Sequence, residues 1–150
     1  MKQSKSTGED ALKSKAWFEF FERHGVEYER DFYAHPRWDA YRTLAAQLLP
    51  SDASCSRVLD VASGPLPSLP RLLEKSSCYV CMDGIFSHLA RLTSRHLKCM
   101  AVQVDLEAAN HLPLSVSFDL VVTFGIYQYL KSPASLIKRL IALIKPGGYL

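Results

Sequence analysis

The sequence has no long apolar run and no strong excess of one charge. Its longest apolar stretches are short, such as Leu140 to Ile144, well below the roughly 20 residues of a membrane-spanning helix. The first sixteen residues contain no apolar segment, so a secretory leader is not expected and a cytoplasmic location is. Lysine and arginine total 18 against 15 acids, a formal net charge of +3. They are dispersed, so a nucleic-acid partner is not expected. Cysteine is sparse: Cys55, Cys78, Cys81 and Cys99. No disulfide framework is expected without an oxidising compartment. No second cysteine pair and no histidine pair stands at ligand spacing, so no metal site is expected. Cys78 and Cys81 flank the strand-like Tyr79-Val80. On a strand the two thiols point to opposite faces and act as small buried hydrophobes. Internal repeats and low-complexity tracts are also absent. What remains is 150 residues, 48% apolar and 22% charged. That is enough for one folded domain with a sizeable core and excludes wholesale disorder.

The chain reads in two parts. Residues 1–50 form a helical segment, placed as a lid or cap. Within it, Trp17, Phe20, Phe21 and His24 recur at helical spacing over 9–24, with Gly25 as a stop. A second helix opens at His35-Pro36 and shows Trp38, Tyr41, Ala45, Leu48 and Leu49 on one face. Residues 51–150 alternate strand and helix. Expected strands are Val58–Ala62, Tyr79–Met82, Met100–Val104 and Phe118–Phe124, with Tyr149-Leu150 starting a fifth. Between them fall helices over Leu66–Lys75, around Ile85, Leu89 and Leu92, and over 133–144 with Leu136, Leu140 and Leu143 on one stripe. This alternation predicts an α/β fold, a parallel sheet with helices on both faces. Ligands of such sheets bind at the carboxyl ends of the strands.

Asp60, Asp83 and Asp105 sit at or near those ends, and Asp119 starts the fourth strand. Residues 43–150 hold only seven acids, and Asp60, Asp83, Asp105 and Asp119 each touch an expected strand. The loop after the first strand, Asp60-Val61-Ala62-Ser63-Gly64-Pro65-Leu66-Pro67, keeps one glycine of a dinucleotide fingerprint. Its prolines remove amide donors that phosphate needs, and Asp60 repels phosphate, which argues against NAD, FAD and ATP. A ligand with a cationic head, a ribose and no phosphate suits it better, and S-adenosylmethionine is one. Asp83 stands 23 residues after Asp60, near the offset of about 20 at which an acid meets ribose hydroxyls. Asp105 is placed to accept from an adenine amino group.

These residues also carry a family resemblance. Val58-Leu59-Asp60-Val61-Ala62-Ser63-Gly64-Pro65 is similar to the first motif of class I S-adenosylmethionine-dependent methyltransferases of the type 11, UbiE-like kind. Val80-Cys81-Met82-Asp83 resembles their ribose-binding second strand. Val104-Asp105-Leu106 and Ser117 to Val122 resemble the stretch around the adenine acid and fourth strand. Gly125 to Leu130 and Leu143-Ile144-Lys145-Pro146-Gly147-Gly148 resemble the following loop and the LKPGG helix end. Ala62 and Leu66 replace two of the motif's glycines. The resemblance implies a Rossmann-like, doubly wound, mostly parallel sheet. It implies S-adenosylmethionine as cofactor, held by Asp60, Ala62, Gly64, Asp83, Gly84, Asp105, Leu106 and Phe124. The reaction implied is in-line methyl transfer to a small, apolar or aromatic molecule. It also implies C-terminal truncation, since the chain stops two residues into the expected fifth strand. The fourth strand is then an exposed edge open to self-association.

Candidates for a general base are His35, His111 and Tyr127. Residues 17–41 hold nine of the sixteen aromatics. Trp17, Phe20, Phe21, Trp38 and Tyr41 fit helix packing. Phe32 and Tyr33, off the stripes, fit a substrate lid, and Tyr127 and Tyr129 complete the expected substrate wall. Two other readings stay open: a non-catalytic cofactor-binding or interaction module, and a nicotinamide oxidoreductase.

Overall fold

The strand–helix alternation read from residue 57 onward is present as strands β1 (Arg57–Val61), β2 (Cys78–Asp83), β3 (Cys99–Gln103), β4 (Phe118–Thr123) and β5 (Ile144–Tyr149). The computed structural model describes residues 8–33, 35–49, 55–109 and 111–150. All described strand pairs are parallel, in the order β3-β2-β1-β4-β5. Helices α3 (Pro70–Lys75), α4 (Phe86–Arg95) and α5 (Pro133–Ile141) connect the strands. Ahead of them lie α1 (Gly8–Tyr28), which ends in a wide π-turn at Glu29–Tyr33, and α2 (Pro36–Leu48). The expected boundary at residues 50 and 51 lies outside the described residues.

Side chains alternate across the sheet and divide the core in two. Val58, Tyr79 and Cys81 pack with Leu69, Leu73, Leu89 and Leu92 of the α3 and α4 layer. Leu59, Val61, Val80 and Met82 pack on the opposite face with Leu136 and Leu140 of α5. Full burial of each such aliphatic side chain contributes about 1.5–3 kcal/mol. Cys81 sits in the first cluster and Cys78 borders the second, so the two thiols do face opposite ways. All four cysteines are free, and no metal-binding cluster occurs among the described residues.

Several element boundaries differ from the sequence reading. Gly25 does not stop α1. It is buried inside the helix, where a β-carbon would lie 3.6 Å from the His88 ring. At that distance a β-carbon would make ordinary van der Waals contact, so Gly25 is an interior helix residue rather than a cap. In α2, Tyr41 and Leu48 are exposed, and Ala45, Ala46 and Leu49 reach the core instead. The helix expected over 66–75 starts only at Pro70, because Pro67 and Pro70 lack the amide hydrogens a longer helix would use. The last helix ends at Ile141, and the KPGG segment lies inside β5 rather than before it. Gly147 adopts φ +78, open to glycine without strain. A β-carbon at Gly148 would lie 2.8 Å from the Asp119 carbonyl oxygen. β5 therefore covers β4, and the sheet edge on that side is β5 rather than β4. Asp119 begins β4 as expected and clamps three strands. It accepts from the Arg57 amide at 2.7 Å and from Lys145 Nζ at 2.7 Å, and Lys145 holds its carboxyl below the usual range.

Candidate functional site

The carboxyl ends of the strands open into a cavity of about 250 Å³. Its floor comes from the loops that leave the sheet. The β1 loop turns at Ala62 and Gly64, with φ +55 and +65. Gly64 donates its amide to Asp83 Oδ2 at 2.9 Å, and Ile85 donates to Asp83 Oδ1 at 2.8 Å. Asp83 is thus buried and fixed at the end of β2. The ends of β2 and β3 are pinned by Val104 N to Asp83 O (3.0 Å) and Gln103 Nε2 to Gly84 O (3.1 Å). At Gly84 a β-carbon would meet the Phe18 ring at 2.7 Å, so glycine lets that ring pack on the end of β2 without shifting. Beyond β3, Asp105 Oδ1 accepts from the Glu107 and Ala108 amides at 2.9 and 3.1 Å. That turn brings Asp105, Leu106 and Glu107 to the cavity wall.

The roof is aromatic. Trp17, Phe18, Phe21 and Tyr28 of α1 line the cavity, with Trp38 of α2 and Tyr129 of a short 3-10 turn (Tyr127–Tyr129). Tyr129 ties the roof to the sheet: its ring lies 4.9 Å from Trp17 and 6.0 Å from Phe21. Burial pushes the Tyr28 phenol up, with Tyr129 and Asp83 adding to the effect. The far end of α1 is held to α4. Glu22 accepts from the Ser87 amide at 3.4 Å, and Glu29 pairs with Arg91 at 3.5 Å and with Arg95.

The structure brings Ala62, Gly64, Asp83, Gly84, Asp105, Leu106, Phe124 and Tyr129 together around this cavity. Asp60 is not among them. It is fully buried inside β1, accepting from Ser68 N and Oγ at 2.6 Å each and from the Tyr79 hydroxyl at 2.9 Å. Its side chain follows the pleat to the Val58 face, so it braces the loop instead of meeting a ligand. Burial pushes its carboxyl up to about 6, against the pull of those hydrogen bonds. Leu66 does not line the cavity either.

The expected bases lie elsewhere. His35 caps α2, its Nδ1 accepting from the Arg37 amide at 3.2 Å. His111 is exposed on the connection between β3 and β4. Tyr127 stands outside the cavity lining, and burial pushes its phenol up, away from use as a base. The side chains of Phe32 and Tyr33 lie outside the described residues. Among the described residues, Trp17, Phe21 and Trp38 of the periodic stripe read as packing line the cavity. Sequence reasoning also missed His88, buried at 4% exposure on the cavity wall. Its spacing from Ile85 and Leu92 on the inner face of α4 was the available signal.

A family model described as "Methyltransferase domain" matches residues 59–150. Compared with curated proteins, the chain matches none significantly. Among solved structures, it is similar to DesVI of Streptomyces venezuelae, at 22% identity and a TM-score of 0.68 over 82% of this chain and 54% of that one. It is also similar to phosphoethanolamine N-methyltransferase 1 of Haemonchus contortus, solved with phosphoethanolamine and S-adenosylhomocysteine. That match has 18% identity and a TM-score of 0.72 over 95% of this chain and 32% of that one. Magnesium protoporphyrin IX methyltransferase from Synechocystis, solved with bound SAH, gives 14% identity and a TM-score of 0.66 over 89% and 68%. The chain spans about half the length of the first of these and a third of the second. With the matched segment running from inside β1 through β5, the chain belongs to the methyltransferase domain family.

Proposed function

We propose that the chain binds S-adenosylmethionine in this cavity and serves methyl transfer to a small molecule with an apolar or aromatic surface. One observation carries the reading. A buried carboxylate, Asp83, ends β2 and faces a cavity whose described lining holds Asp83, Asp105 and Glu107 and no lysine or arginine. That charge balance suits a cationic ligand without phosphate. A carboxylate has about four lone-pair sites, and backbone amides use two of those on Asp83, leaving two for a ribose. When bound, S-adenosylmethionine supplies a methyl group on a cationic sulfur. The chain's own part is alignment and exclusion of water: α1 and Tyr129 close the cavity, and the loops at Gly64 and Gly84 fix its floor. The aromatic roof supports an acceptor with apolar surface, with Tyr129 and Trp38 against it. No proton acceptor is assigned, since His35, His111 and Tyr127 do not line the cavity. Titration calorimetry with S-adenosylmethionine, S-adenosylhomocysteine and NAD tests the reading. Heat is expected with both sulfur ligands and none with NAD; binding of NAD alone would reverse the assignment.

A further inference from the structure

The turn after β3 forms part of the cavity wall and is held from behind. Asp105, Leu106 and Glu107 line the cavity. Asp105 closes the turn on itself. Its Oδ1 accepts from the Glu107 and Ala108 amides, and its carbonyl accepts from the Ala109 amide at 2.9 Å. The Leu106 and Ala109 carbonyls are left with no backbone amide among the described residues. Arg139 of α5 serves both. Its Nη2 donates to Leu106 O at 2.7 Å and its Nη1 to Ala109 O, while its Nε reaches back to Ser135 O at 3.4 Å. Arg139 itself does not line the cavity.

A guanidinium is a rigid fork whose fixed donors can hold two carbonyls at once, where an ammonium is a point charge on a flexible stem. Two anchors fix both the position and the rotation of a short turn. The Leu106 side chain adds a third, packed with Leu136 and Leu140, which flank Arg139 on α5. Helix α5 therefore sets where the turn stands against the strand ends. Glu107 ties the turn to a second stretch of the wall, its Oε1 accepting from the Lys131 amide at 2.7 Å beside the lining residue Leu130.

We infer that Arg139 is a positioning residue for ligand selection: by holding the Leu106 and Ala109 carbonyls to α5, it keeps the Asp105 carboxylate where it reads the amino group of the ligand's base. This rests on the cofactor reading above. A carboxylate held in place accepts from an amino group and repels a carbonyl oxygen. On a loosened turn it loses the bond to the first and moves away from the second, so discrimination falls.

The test is titration calorimetry with S-adenosylhomocysteine and S-inosylhomocysteine, in which a carbonyl replaces the amino group of the base. Wild type should prefer the adenosyl ligand. Arg139→Met is expected to weaken S-adenosylhomocysteine about five- to ten-fold, the equivalent of one hydrogen bond, and to leave the inosyl analogue nearly unchanged. The preference then narrows by that factor. Arg139→Lys, which can serve one carbonyl, should narrow it less. Equal weakening of both ligands in Arg139→Met would mark a purely structural role and overturns the inference, as does unchanged affinity for both. If Arg139→Met does not fold, Arg139→Lys decides: its preference should be smaller than that of wild type, and an unchanged preference overturns the inference. A wild type that binds both ligands equally keeps the cofactor reading and overturns this one. A wild type that binds neither removes the cofactor reading itself, and this inference with it.

Discussion

Asp60 and Asp83 stand near the ends of neighbouring strands, and burial gives them opposite tasks. Asp83 ends β2 and faces the cavity. Asp60 lies one residue inside β1, in register with Cys81 and Val122, so the pleat turns it onto the Val58 face. There it accepts from Ser68 and Tyr79. Its ionised form is desolvated, and its carboxyl is pushed from 3.8 up to about 6. The native state therefore binds the Asp60 proton more tightly than the unfolded state. Asp60 contributes most below pH 4, and that contribution is lost as pH rises through 6, by about 3 kcal/mol in all. Chemical denaturation of wild type and Asp60→Asn from pH 4 to 7 checks the sign. Wild type should lose stability relative to the variant across that window, and a relative gain would contradict it. One acid per strand end was legible as spacing. Which face each acid takes was not, because it depends on whether the residue lies inside the strand or just past it. The φ of +55 at Ala62 was equally hidden; it strains a non-glycine residue by about 1–2 kcal/mol and is a fact of the fold, not of the residue type.

At the scale of elements, the order of strands and helices was readable because apolar runs, acids and turn residues alternate from residue 57 onward. The glycines misled at two places. Gly25 lies inside α1, and Gly148 lies inside β5, where a β-carbon would press on the Asp119 backbone; sequence alone reads either as a terminator. The KPGG segment accordingly belongs to β5, where its pairing with β4 shifts register between Phe118 and Leu120. Gly148→Ala should destabilise the chain by about 1–3 kcal/mol, the range for overpacking, since the obstacle is a backbone oxygen. Thermal unfolding measures it; an unchanged melting temperature would mean β5 relaxes freely. Helix α1 was legible as a helix. Its role was not, since a periodic aromatic stripe looks the same whether it faces a core or a cavity. Trp17, Phe20 and Val26 remain exposed while Phe18 and Phe21 turn inward.

For the molecule as a whole, the N-terminal helices and the strand ends enclose a shared space. The sheet supplies fixed carboxylates, and α1 supplies an aromatic cover joined to the sheet through Tyr129 and to α4 through Glu22 and Glu29. Among the described residues, no helix is long and apolar enough to cross a membrane. The +3 net charge of the whole chain hides a cavity of the opposite sign, because the bases are dispersed and the acids converge. On the proposed reading, that convergence selects a cationic, phosphate-free ligand, with Asp83 at its centre. The most direct measurement is the affinity of S-adenosylhomocysteine for wild type and Asp83→Ala by titration calorimetry, with folding checked by circular dichroism. Loss of the carboxylate should weaken binding by about 1.5–3 kcal/mol, the range for hydrogen bonds to a charged group. Equal affinity in a folded Asp83→Ala variant would contradict the placement of the ribose at Asp83.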